Sequence, residues 1–511
     1  MLDLRLVNAN VVTMDPARPS AREIGIWRGR IFSLDGAEPA AEVIDLHGST
    51  VLPGFIDAHV HLAWTGLEEG GASVAGIPSI ADALAAIGAA AADRPPGEWV
   101  DVHGYDQRAL GRHLTAAELD SVSLGRKVFL IHQSGHACVV NSAVLELAEL
   151  DHQDGLLAES GMAAVRALRR PYTVSELSEA IERAGRTCLS EGVTAAAEAG
   201  IAGGLVSHSA VELAAYQSLV DDDRLPIRVR VMVAADLLHA VGAHPADGIA
   251  RGLDLGLRTG FGGSRLSIGA VKIFTDGGMM ARTAALSSPY VGLDHSGELF
   301  ADPSVINGYV VDADRAGWQV AIHAIGDRAL DVALDALSLV DGPGRHRIEH
   351  AGLVRPDQLP RMASVGAMAV VQPNFLWYLG DDYATIMGPE RADWLYRGQA
   401  FLDHGIRLVG SSDRPVTPGA PLRAIQFMTS RRTSSGAPLG AAEAISIDDA
   451  LRAYTVNAAY ACGWESELGS ITPGKHADLV VLGEDPHRAA PIADIPVLAT
   501  LVAGQVAFGT L

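Results

Sequence analysis

Cysteine is nearly missing from this chain. Its three, Cys138, Cys188 and Cys462, stand far apart and form no Cys-x-x-Cys pair. So sparse and odd a count excludes a disulfide framework and a structural zinc finger, and it suits a reducing compartment. Basic charge is also short. Only 39 Lys and Arg stand against 61 Asp and Glu, a formal net charge of −22, which argues against nucleic acid and anionic membranes as partners. No window of about 18 apolar residues could span a bilayer. The opening Met1-Leu2-Asp3-Leu4-Arg5-Leu6 lacks the basic region and long apolar core of a signal peptide, so a cytoplasmic location is expected. Internal repeats and low-complexity tracts are absent too, apart from a bias to Ala and Gly.

What is present points to a well-buried globular protein. Hydrophobic residues make up 48% of 511, more than one ordinary domain holds, though a barrel with an appended domain would absorb them. The middle of the chain alternates strand-like and helix-like segments, the pattern of a parallel α/β architecture. Helices are expected at residues 79–92 and 174–191, and strands at 192–197 and 227–233. The connection from His61 to the first of these strands is far longer than usual. About residues 67–170 are therefore expected to form an insertion that folds over the barrel's mouth. Both ends read as β-rich, with strand-like runs at 6–14, 23–27 and 31–34, and again at 471–482 and 497–503.

The most informative stretch is the apolar run 51–62, which closes on His59-Val60-His61. On a strand, residues two apart share a face, so the two imidazoles would stand side by side at the strand's end. That is how a protein grips a metal such as zinc. Three later strand-like runs also end in a residue that can bind a metal or move a proton: 318–322 leads to His323, 345–349 to His350, and 406–412 to Asp413. A further run, Leu266–Phe274, buries Lys272 among apolar residues. A charged lysine is costly there, so either an acid such as Asp276 pairs with it or its chemistry changes.

Taken together, His59, His61, Lys272, His323, His350 and Asp413 resemble, in chain order, the metal-site residues of the amidohydrolase superfamily. Finer motifs are similar to its YtcJ-like branch of metal-dependent hydrolases, which includes N-substituted formamide deformylases. These are Ser134-Gly135-His136 followed by Asn141-Ser142, Lys272-Ile273-Phe274-Thr275-Asp276-Gly277, Thr283-Ala284 with Pro289-Tyr290, His323-Ala324-Ile325-Gly326-Asp327-Arg328-Ala329, and Ser412-Asp413. The resemblance implies an α/β fold: a (β/α)8 TIM barrel over residues 52–466, with the insertion after barrel strand 1. Residues 1–51 and 467–511 would meet in a small β-sandwich.

It also implies chemistry. His59, His61 and Asp413 would hold one zinc ion, and His323 and His350 a second. Lys272, carboxylated by carbon dioxide, would bridge them, and burial favours the neutral amine this needs. A metal-activated hydroxide would attack the carbonyl of a small-molecule amide or N-substituted formamide. Asp413 would act as general base and then acid, with Lys272 and His350 as the other catalytic groups. A homodimer is common in such a family, though nothing in the sequence locates an interface. Substrate contacts are expected from His136, Arg282 and Arg414, and from Trp64, Phe375 and Trp377. Phe375, Trp377 and Tyr378, with Trp64, suggest an apolar or aromatic substrate group. Asp327 and Arg328 read equally as a helix cap with a local ion pair.

Two departures lie near the expected mouth. Arg414 stands where the family usually has a small residue after the strand-8 Asp, and Gly278-Met279-Met280 replaces the usual Ser after the Asp-Gly step. Other readings stay open. A mononuclear deaminase would usually carry Glu three residues after the strand-5 His, where this chain has Gly326. Lactone or carbamate hydrolysis would use the same centre. A non-catalytic scaffold would be expected to have lost ligands.

Overall fold

The structure is a computed structural model that describes residues 1–132, 137–151, 154–158, 161–341 and 344–511. It divides into two compact units. One holds Met1–His61, Gly185–Val206 and Leu219–Leu511; the other holds Leu62–Ala184 and Ser207–Ser218. No helix among the described residues is long and apolar enough to cross a membrane.

The first unit is built on a nearly closed barrel of eight parallel strands: β1 (Phe55–Val60), β2 (Val193–Ile201), β3 (Arg228–Ala234), β4 (Leu266–Phe274), β5 (Val320–Ala324), β6 (Arg347–His350), β7 (Met368–Val371) and β8 (Leu408–Gly410). Each is paired with the next in chain order. Strands covered on both faces need apolar residues throughout. All nine residues of β2 and all six of β1 are buried accordingly. One apolar cluster takes Ile56 and Ala58 from β1, Ala195, Ala197 and Ala199 from β2, and Met232, Ala270, Ala321, Val370 and Val409 from other strands. A surface shared so widely around a ring is its inside. β6 supplies instead the buried charges Arg347 and Glu349.

β8 and β1 close the ring through main-chain bonds at their C-terminal ends. The Asp413 amide donates to the His59 carbonyl at 2.8 Å, and the His61 amide donates to the Arg414 carbonyl at 2.9 Å. Just before them, the Ser412 amide and hydroxyl both donate to the Asp57 carboxylate.

The two chain ends share one sheet, and the N-terminal end builds a second. A six-stranded sheet joins Thr50–Pro53, Asn10–Val12 and Ser20–Ala21 to the C-terminal Leu479–Leu482, Val497–Val502 and Gln505–Gly509. A four-stranded sheet contains Leu2–Val7, Ile24–Trp27, Arg30–Leu34 and Ala40–Asp45. Both bury side chains in one cluster, Leu6, Ile24 and Ile26 from the smaller sheet and Val11, Val51, Leu479 and Leu501 from the larger. The run 51–62, which reads as one apolar segment, is shared between this sheet and the barrel, with the break at Gly54. A Cβ there would stand 2.2 Å from the Thr194 hydroxyl, so the chain passes only as glycine. The run 6–14 is likewise broken, at Asn8, whose φ of 52° ends the first strand. Of 471–482, only Leu479–Leu482 forms a strand.

The second unit carries a five-stranded sheet of Leu156–Ala158, Ala137–Val140, Lys127–His132, Trp99–Tyr105 and Ala72–Ser73. Helix Ile80–Ala92, capped by the Ser79 hydroxyl on the Asp82 amide, packs Ala83 and Ile87 into a cluster with Val102, Leu119 and Leu130.

A buried ion pair ties β3 to the C-terminal part of the first unit. Arg228 Nε and Nη2 donate to Asp478 Oδ2 and Oδ1 at 2.7 and 3.1 Å, and both side chains are almost fully enclosed. Removing one partner leaves the other charged and unpaired inside the protein. Asp478→Ala is therefore expected to cost about 3–5 kcal/mol, read as a lowered midpoint of chemical denaturation.

Candidate metal centre

The C-terminal ends of the barrel strands gather the side chains singled out in the sequence. His59 lies on β1 and His61 just past it, Lys272 on β4, His323 on β5, His350 at the end of β6, and Asp413 past β8. His59, His350 and Asp413 each offer a ligand atom, and these atoms lie within 4.8 Å of one another. Asp413 Oδ1 is 3.3 Å from His59 Nε2 and 3.0 Å from His61 Nε2. Lys272 Nζ is 3.3 Å from His59 Nε2. The His323 and His350 rings stand 4.4 Å apart, but His323 Nε2 faces the Gly277 carbonyl at 3.2 Å.

The backbone is strained where it delivers these groups. His350, Ala351 and Asp413 have φ of 73°, 43° and 55°, a left-handed region that costs a non-glycine residue and is concentrated at functional sites.

The outer ring nitrogens are tied down. His59 Nδ1 bonds the Glu349 carboxylate, and His350 Nδ1 bonds Gln372 Oε1 at 2.7 Å. Each bond fixes the orientation of its ring through Nδ1, the usual support of a metal-binding histidine. Glu349 is itself held by Arg347 Nε and Nη2.

Burial dominates the charge states. It pushes His350 down to about 3, the nearby His59 and Lys272 adding to it against the Asp413 charge. His323 is held well below the ordinary histidine value by burial, His350 and Lys272. Burial lowers Lys272 to about 8, opposed by Glu349 and Asp413. Against burial, the charge of Arg347 and then of His59 hold Glu349 well below the usual carboxylate range. Asp413 is likewise held low by His59 and by bonds from His59 and His61. His61 goes the other way. Burial would lower it, but bonds to Asp413 and Glu198 raise it to about 9. A ligand role would require that proton to leave. The His59, His61 and His350 imidazoles beside the Asp413 carboxylate offer the N and O donor set that a divalent metal such as zinc takes.

The other expected residues are dispersed. Phe375 stacks on the His350 ring, centroids 6.4 Å apart. Trp377 is half-buried, with the Arg423 guanidinium 4.4 Å over its ring. Arg282 pairs with Asp382 at 3.4 Å. Arg414 is buried and gives its guanidinium to Glu191 at 2.9 Å, so that charge is already taken. Trp64 belongs to the second unit, where its indole donates to Glu68 at 2.8 Å. His136 lies outside the described residues. Asp276 is not the partner of Lys272: it accepts backbone amides of Ala285, Ile325 and Gly326. Lys272 instead has His59 and the Phe274 ring as neighbours. Asp327 caps the turn of Ser287 and pairs with Arg355 rather than Arg328.

Sequence reasoning passed over Glu198, Glu349 and Gln372 as partners of the site. Glu198, on β2, lies 3.7 Å from His61 Nδ1. The available signal was the one used for the histidines, a polar residue inside or just past an apolar strand.

A parallel barrel with imidazoles and a carboxylate converging at the C-terminal ends of its strands has the architecture of a metal-dependent hydrolase. The chain belongs to the amidohydrolase family, whose sequence profile matches residues 42–508. It is 30% identical to the N-substituted formamide deformylase of Arthrobacter pascens, over 99% of this chain and 98% of that one. It is 26% identical to YtcJ of Bacillus subtilis, over 92% and 91%. Among solved structures, an uncharacterized metal-dependent hydrolase from Pyrococcus horikoshii superposes with a TM-score of 0.81 at 30% identity, covering 95% of this chain and 98% of that one.

Glu349 is the charge on which both Arg347 and the His59 ring lean. Glu349→Gln keeps the volume and removes the charge. It is expected to destabilise the metal-free protein by about 3–5 kcal/mol, measured by chemical denaturation after chelation.

Proposed function

We propose that this protein is a cytoplasmic metal-dependent amidohydrolase that cleaves a non-peptide C–N bond in a small molecule, an amide or N-substituted formamide. The observation that carries this reading is the buried convergence of His59, His350 and Asp413, with Lys272 against His59. The deformylase relative, similar along its whole length, supports the choice of bond. Residues of about 67–170 are read as an insertion after β1, and the two terminal sheets as the family's β-sandwich.

His59, His61, His323, His350 and Asp413 would hold the metal, with Lys272 as a carboxylated bridge. When bound, such an ion polarises a carbonyl and lowers the pKa of water at the site. The amine of Lys272, lowered towards neutrality by burial, has a lone pair free to add to the carbon of carbon dioxide and lose a proton. Asp413, anionic and next to His59 and His61, takes a proton from the attacking water and returns it to the leaving nitrogen. Glu349 and Gln372 orient the imidazoles. Phe375, packed on His350, turns an apolar face to an aromatic or aliphatic substrate group.

Metal analysis by plasma mass spectrometry, on protein expressed with zinc and bicarbonate, tests the centre. The wild type is expected to hold about two ions per chain, and Lys272→Ala fewer, with loss of hydrolysis across a panel of amides and formamides. One ion in both proteins would leave a mononuclear hydrolase or deaminase as the better account.

A further inference from the structure

One buried hydroxyl, on a ring linked to His350 through Phe375, has no hydrogen-bond partner among the described residues. It belongs to Tyr396, which is 3% exposed. Two other buried phenols are paired, as is usual: Tyr290 donates to the Ala284 carbonyl at 3.0 Å and Tyr454 to the Ser411 carbonyl at 3.1 Å.

Tyr396 is also held in place firmly. Its amide donates to the carbonyl of Gly352 at 2.9 Å, two residues past His350. Its own carbonyl accepts from Arg431 Nη1 at 3.0 Å, and its φ of 41° is left-handed. The ring meets Phe375 edge-on with centroids 5.9 Å apart, and Phe375 stacks on His350 at an angle of 11°. Burial above all, then Tyr383 and the Asp413 and Asp276 carboxylates, keep the phenol well above its usual pKa. It is therefore a neutral donor near two acids and one aromatic ring away from a candidate ligand. A buried donor without an acceptor costs stability, and such groups are kept where a ligand supplies the acceptor.

We propose that the Tyr396 hydroxyl is a substrate-binding donor that holds the acyl oxygen of the substrate, or of the carboxylate product, beside Asp413, as an oxyanion-hole group does. The proposal rests on the hydrolase reading above.

Tyr396→Phe removes a single oxygen. Formate and acetate serve as probes, titrated by calorimetry into the purified protein, with metal content measured on the same samples. The Kd of at least one probe is expected to rise about tenfold with metal content unchanged. The thermal midpoint should hold or rise, because the deleted hydroxyl had no partner. Tyr290→Phe is the contrast, with a lower midpoint and probe affinity retained.

Equal probe affinity in Tyr396→Phe overturns the assignment, as does a wild type that binds neither probe. A lowered midpoint in Tyr396→Phe makes the hydroxyl structural and overturns it too. The hydrolase reading fails separately: if no amide is cleaved while probe binding still depends on Tyr396, the donor stands and the reaction does not.

Discussion

The meeting of β8 with β1 is the contact on which the rest of the site depends. A barrel must satisfy the edges of its first and last strands, and here two of the bonds that do so are made by His59 and Asp413 and by His61 and Arg414. Ring closure and the approach of the candidate ligands thus share the same contact. The approach of Asp413 to both imidazoles follows from main-chain bonds made just beneath the side chains. The Asp57 carboxylate, which takes the amide and hydroxyl of Ser412, sets the turn that brings Asp413 round.

Three ionisable groups lie close together on one strand of this barrel. Other strands bury single charges such as Glu198 and Lys272 among Ala, Val, Ile and Met, whereas β6 contributes Arg347, Glu349 and His350. The arginine neutralises the glutamate, the glutamate orients His59, and the strand then ends in a histidine that burial keeps unprotonated. Isolated, each of these groups would be expensive to bury. As a chain of contacts they compensate one another and leave nitrogen lone pairs facing Asp413. The left-handed residues at 350, 351 and 413 lie at or next to the candidate ligands of the same arrangement.

Much of this was legible in the sequence because parallel strands buried on both faces read as apolar runs, and a barrel places chemistry where such runs end. Leu266–Phe274 is a strand with the same limits in both readings, and Lys272 stands out because nothing else in it is charged. Other features leave no local trace. Gly54 looks like any glycine, and only the nearness of Thr194, 140 positions further on, makes it the point where one apolar run is divided between two sheets. Glu198, Glu349 and Gln372 become partners of histidines through strand order, which spacing does not encode. Arg414 invited a role at the mouth, but Glu191, distant in sequence, had already claimed it.

His59 and Asp413 meet through main-chain atoms, and the side chains that could do chemistry take no part in that bond. Architecture and reactivity are therefore inherited separately here. A descendant could exchange either side chain and still shut its barrel, so sequence drift can silence or redirect the reaction without passing through an unfolded ancestor. Resemblance of shape within such a lineage is weak testimony about what any one member acts upon.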